Sequence, residues 1–95
     1  MDQLMDDLIK FQKDRDWKKF HTPENLAKSI SIEAAELLEH FQWGKEYDES
    51  EVADELADVL IYSLYMVDAF GFDLKEIIYN KMEKNAIKYP ALKSG

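Results

Sequence analysis

Four acidic residues stand in two pairs of like spacing, Glu33-x-x-Glu36 and Glu55-x-x-Asp58, within the stretch from Ser29 to Tyr62. On a helix, residues three apart are neighbours on one face, so each pair would present two carboxylates side by side. Two such helices packed together would bring all four to a common point. Without a cation, groups so placed repel and raise one another's pKa values. Oxygen-only ligands in that number suit a hard divalent cation, Mg2+ above all. A rival acidic pair, Glu51 and Asp54, lies one turn earlier; Glu55 and Asp58 are preferred because they lie deeper in an apolar helix and share a face with Tyr62. A di-iron carboxylate site would require Glu-x-x-His on two helices. Neither His21 nor His40 stands three residues after a glutamate.

The elements that must position these pairs are helices. Asp2 to about Lys19 reads as the first, with Leu4, Leu8 and Phe11 on its stripe and Met5 and Ile9 widening it. Thr22 is a good N-cap and Pro23 suits the first helical position, so a second helix is predicted from Pro23 to about Gln42, ended by Gly44. Glu33 falls at the edge of its stripe of Leu26, Ile30, Ala34, Leu37 and Phe41, and Glu36 just beyond, as in a lined cleft. Asp48 followed by Glu51 predicts the start of a third helix, which runs to Gly71. From Val59 to Phe70 that helix is apolar almost all round, with Asp68 its only charge, so it needs cover on more than one side. Asp73 and Glu76 repeat the capping pattern for a fourth helix to about Lys88, where Tyr89-Pro90 breaks it. No strand, repeat or low-complexity segment is evident. The reading is all-α, one domain over residues 1–95. A chain this short has too few elements to cover its third helix, which points to a homo-oligomer, a dimer or dimer of dimers.

The net charge of −8 excludes a long stretch of duplex nucleic acid as partner, because no basic surface is available to displace counterions. It does not exclude a nucleotide, since a cation held by acidic residues reverses the local sign. No cysteine is present, hence no disulfide, zinc-thiolate site or thiol nucleophile. Met1-Asp2-Gln3-Leu4 lacks the basic and apolar regions of a signal peptide, and the apolar run Val59 to Val67 is too short to span a bilayer. A cytoplasmic location without membrane contact is expected.

Trp17 and Trp43 sit at helix ends beside polar residues, where aromatic faces could stack on a nucleobase. Lys81, Lys84 and Lys88 recur at helical spacing and could meet phosphates.

Together these residues resemble the all-α, MazG-like nucleoside triphosphate pyrophosphohydrolases. The resemblance rests on Glu33-x-x-Glu36, eighteen residues, then Glu55-x-x-Asp58. Arg15-Asp16-Trp17, Phe20-His21, Pro23, Asn25-Leu26, Phe41-Gln42-Trp43, Val59 to Tyr62, Lys81-Met82, Asn85 and Tyr89-Pro90 are similar to the dCTP pyrophosphatase branch. It covers roughly residues 11 to 91, nearly the whole chain. The resemblance implies a four-helix bundle assembled as a homo-oligomer, with residues of one subunit helping to complete the pocket of another. It implies hydrolysis of a deoxynucleoside triphosphate, dCTP or a related or modified nucleotide, to the monophosphate and pyrophosphate. Glu33, Glu36, Glu55 and Asp58 would hold Mg2+. Trp17, Trp43 and Tyr62 would line the base and sugar pocket with His21 in the substrate-binding set, and Lys81 and Asn85 would meet the phosphates or ribose. One carboxylate must take the proton of the attacking water. Glu36 is assigned that role, although spacing alone does not separate the four. A different class of reading is a catalytically inactive helical dimerisation or adaptor module; the presence of all four carboxylates and of the pocket aromatics weighs against it.

Overall fold

The structure, a computed structural model, describes residues 2–92. It contains four helices, α1 (Asp2–Asp14), α2 (Pro23–Glu39), α3 (Glu49–Phe70) and α4 (Leu74–Lys88), and no strand among the described residues.

Three helix starts follow from the side chains that precede them. Thr22 Oγ1 accepts the Asn25 N–H at 3.2 Å, with Pro23 opening α2. Asp48 Oδ1 accepts from the N–H groups of Ser50 and Glu51 at 2.8 and 3.3 Å, and Asp73 Oδ1 accepts from that of Glu76 at 2.9 Å. Each bond satisfies a donor that a helix start would otherwise leave orphaned.

Two helix ends differ from the sequence reading. The first helix stops at Asp14, not near Lys19, because Asp16 adopts a left-handed backbone with φ 56°. The Asp16 N–H then bonds the Lys13 carbonyl and the Trp17 N–H the Gln12 carbonyl, both at 3.0 Å. This is the Schellman arrangement, with aspartate in the place glycine usually takes. The second helix stops at Glu39, not Gln42. His40, Phe41 and Gln42 bond the carbonyls three residues back, so the chain tightens into successive turns. Gly44, at φ 78°, closes those turns and not the helix itself. Gly71 does end α3 as expected, at φ 69°, with its own N–H on Asp68 and that of Phe72 on Val67.

α2 and α3 pack along each other as an antiparallel hairpin, with Glu33 beside Glu55 and His40 near Glu51. α1 lies against α3, where the Tyr65 hydroxyl donates to the Leu8 carbonyl at 2.9 Å. α4 buries none of its residues and extends from the rest. Three helices pack within one chain and the fourth does not close over them. The core is correspondingly thin: Leu26 is fully buried and Tyr65 nearly so, while Phe11, Leu60, Ile78 and Met82 stay exposed. Among the described residues no helix is long and apolar enough to cross a membrane.

Candidate active site

The hairpin of α2 and α3 carries the acidic pairs to one place. Glu33 meets Glu55 and Asp58 so closely that one carboxylate oxygen of each lies within 4.8 Å of the others. Glu33 and Glu55 are half-buried and Asp58 is exposed. Glu33 Oε2 and Glu55 Oε2 are both buried without a hydrogen-bond partner. Anionic oxygens taken from water and left unpaired are costly. A cation among the three carboxylates would satisfy both at once, so the donor set fits a metal ion. Glu36 adjoins Glu33 but stands outside the close trio. Of the rival pair, Glu51 stands near His40, with Oε2 3.8 Å from Nδ1, and neither Glu51 nor Asp54 belongs to the cluster.

Crowding has a titration consequence. Burial, then the hydrogen bonding and charge of Glu55 and Glu36, push the Glu33 carboxyl up to about 7 from an ordinary 4.5. Between those values the folded, metal-free protein holds a proton that the unfolded chain has released. The stability associated with Glu33 is therefore full below about pH 4.5 and is lost as pH rises through about 7. Melting of the metal-free protein should fall more steeply across that window than melting of Glu33→Gln, which has no such proton to lose. Equal slopes would show that the carboxylates do not share a proton.

Beside the trio lies a cavity of about 450 Å³, walled by Leu4, Asp7, Leu8 and Phe11 of α1, Trp17 and His21 of the following loop, and Asp58, Ile61, Tyr62 and Tyr65 of α3. Its size is that of a small-molecule pocket. Asp58 belongs both to the acidic trio and to this wall, so the two sites are continuous. Aromatic rings hold the wall together. The Phe11 and Trp17 centroids are 5.7 Å apart edge to face, and the His21 ring lies 6.0 Å from Trp17, 6.1 Å from Tyr62 and 5.1 Å from Tyr65. The Arg15 guanidinium lies over the Phe11 ring, 3.4 Å from its centroid. Burial lowers the pKa of His21, which favours its neutral form.

Of the residues expected in a substrate site, Trp17, His21 and Tyr62 are thus brought together. Trp43 lies in the turns after α2, exposed and away from the cavity wall. Lys81 and Asn85 lie on the exposed α4, also away from that wall within one chain. Two residues of the site region were missed by the sequence reading. Tyr65 continues the helical face of Asp58 and Tyr62 by one more step, and that spacing was the available signal. Gln12 is nearly fully buried, and its clue was a polar residue at the stripe spacing of Leu4 and Leu8.

Comparison with known proteins places this geometry among relatives. The profile of the MazG-like family matches residues 28–95. The dCTP pyrophosphatase 1 of Mus musculus is 34% identical over 90 residues, which cover 84% of this chain and 53% of that protein. The Homo sapiens dCTP pyrophosphatase 1 is 34% identical over 91 residues, covering 85% and 54%. The chain therefore spans about half the length of the curated relatives it matches. The crystal structure of a pyrophosphatase from Archaeoglobus fulgidus is similar with a TM-score of 0.87 at 49% identity, covering 96% of this chain and 93% of that one.

Proposed function

The chain belongs to the MazG-like family, and from that premise we propose that it hydrolyses a deoxynucleoside triphosphate, dCTP or a related or modified nucleotide, to the monophosphate and pyrophosphate. The observation that carries this reading is Asp58, which joins an oxygen-only trio to an aromatic-lined cavity of nucleoside size. Polyphosphate is anionic and the protein carries −8, so the two repel unless a cation stands between them. Glu33, Glu55 and Asp58, with Glu36 beside them, would hold Mg2+, which when bound neutralises phosphate oxygens and lowers the pKa of water.

The side chains supply the remaining functions. Trp17, His21 and Tyr62 hold the base and sugar, so that the phosphates lie over Asp58 and its neighbours. Glu36, outside the close trio, accepts the proton of the attacking water. The water oxygen bonds to phosphorus as the α–β bridging P–O bond breaks in line, and pyrophosphate leaves. Neither a serine nor a cysteine nucleophile is required. Trp43, Lys81 and Asn85 stand away from the cavity in one chain, and assembly into a homodimer or homotetramer is what brings such residues to the substrate. A cytoplasmic location fits a soluble nucleotide substrate.

A pyrophosphate-release screen over standard and modified deoxynucleoside triphosphates with Mg2+ tests the reading. The expected products are monophosphate and pyrophosphate in equal amounts. Release of inorganic phosphate with a diphosphate would overturn it. In parallel, Mg2+ plus the best nucleotide at 100 times Kd should add about 2.7 kcal/mol to stability. An adaptor with vestigial carboxylates would show neither effect.

A further inference from the structure

Gln12 carries a polar side chain that is only 3% exposed, on the last turn of α1. Its Nε2 lies 2.8 Å from His21 Nδ1, nine residues later across the loop. The same residue's carbonyl accepts the Trp17 N–H at 3.0 Å, so Gln12 holds the loop through both backbone and side chain. Trp17 and His21 both line the cavity.

The orientation of the amide decides what His21 presents. With Nε2 toward the ring, the amide donates and Nδ1 accepts, which places the imidazole proton on Nε2. Gln12 Oε1 is then the buried atom without a partner. Turning the amide over would bury an NH2 group with both N–H donors unpartnered, in place of one N–H and the carbonyl oxygen, and orphaned buried N–H groups are rarer than under-satisfied carbonyl oxygens. Among the described residues no protein group bonds His21 Nε2. That atom is the ring's remaining polar position, on a side chain held among Trp17, Tyr62 and Tyr65.

We infer that Gln12 is a positioning residue that locks His21 as the Nε2–H tautomer, so that the cavity offers one fixed hydrogen-bond donor to an acceptor, a carbonyl or ring nitrogen, on the nucleobase. The inference rests on the nucleotide reading for its ligand but on the protein alone for the tautomer. A glutamine that served only to fill space would have no effect on where the imidazole proton sits. The low pKa of His21 agrees with the lock, since the neutral ring has a tautomer to choose.

The test uses the full chain, isotopically labelled, and reads the two His21 ring nitrogens by long-range proton–nitrogen NMR without metal or nucleotide. The expected spectrum shows Nδ1 unprotonated and Nε2 protonated. Gln12→Leu and Gln12→Met both remove the amide together with its unpartnered Oε1, and Met keeps the length of the side chain. In both, the His21 nitrogens should move toward averaged tautomers. The KM for dCTP with Mg2+ should rise about threefold to tenfold, the loss of one hydrogen bond, while kcat changes little. A wild-type spectrum with the proton on Nδ1 would overturn the lock. So would Gln12→Met with the wild-type spectrum and KM, because that result makes Gln12 a packing residue. Should the wild-type protein hydrolyse no nucleotide, the functional reading fails, and the His21 spectrum of the ligand-free protein still decides the tautomer.

Discussion

Glu55→Gln should abolish pyrophosphate release while leaving the fold intact. The substitution keeps the size of the side chain and removes its charge from a trio whose oxygens lie within 4.8 Å of one another. Loss of a group that merely supports a metal ligand costs about 10–100-fold in affinity or activity, so loss of a ligand should cost at least that. Glu33→Gln and Asp58→Asn should behave alike. Glu36→Gln should lower kcat by about 10²–10⁴-fold, the range for a general base, with Mg2+ affinity reduced less than in the other three. Stability should move the opposite way. Glu55 Oε2 and Glu33 Oε2 are buried without partners, so replacing one carboxylate relieves repulsion, and metal-free Glu55→Gln should melt higher than the parent. Calorimetry with and without Mg2+, beside the turnover assay, checks both halves. Full activity in Glu55→Gln would remove the metal assignment and redirect attention to Glu51 and Asp54.

The second large effect is expected on assembly. An apolar groove of about 650 Å³ runs between α1, α3 and α4, lined by Leu4, Leu8, Leu60, Leu64, Val67 and Ile78 among others. Leu60 is 53% exposed in the single chain. Each such side chain left in water forgoes about 1.5–3 kcal/mol, in a domain whose whole stability is of the order of 5–15 kcal/mol. With Leu26 and Tyr65 as its buried apolar residues, one chain has little else to draw on. The proposed homo-oligomer covers this groove with a second copy. Leu60→Asp separates the possibilities. At an exposed site of a monomer such a change stays within about 0.5 kcal/mol, whereas in an interface it buries an unpaired carboxylate. The parent should sediment as a dimer or tetramer at micromolar concentration, with a melting temperature that rises with concentration. Leu60→Asp should dissociate and lose most of its helical signal. A folded, active parent of about 11.2 kDa would show that the groove needs no partner.

Much of this architecture is written in local chemistry. Thr22, Asp48 and Asp73 cap their helices because a short polar side chain reaches the free N–H groups two or three residues ahead. Gly71 ends α3 because a left-handed residue there costs glycine nothing. Spacing of three puts Glu33 with Glu36, and Glu55 with Asp58, on single faces whatever the rest of the chain does. The four helices and the acidic pairs were therefore legible before any fold was known.

Tertiary structure decided what depends on distant neighbours. It placed Glu33, Glu55 and Asp58 in one trio with Glu36 beside it, a distinction that the register of α2 on α3 makes and spacing cannot. It turned Glu51 toward His40 and away from the cluster. It ended α1 at Asp14, where Asp16 takes a left-handed backbone with its N–H on the Lys13 carbonyl of that helix, a conformation that aspartate adopts only occasionally. That early stop swings Trp17 and His21 back over α1, which is why Gln12 and Tyr65 are buried beside them while nothing in their own sequence neighbourhoods required it. It also left α4, with Lys81 and Asn85, extended from the other helices. Capping and periodicity act within one or two turns of chain, whereas burial, the crowding of carboxylates and the register of two helices are settled by contacts between residues far apart in sequence.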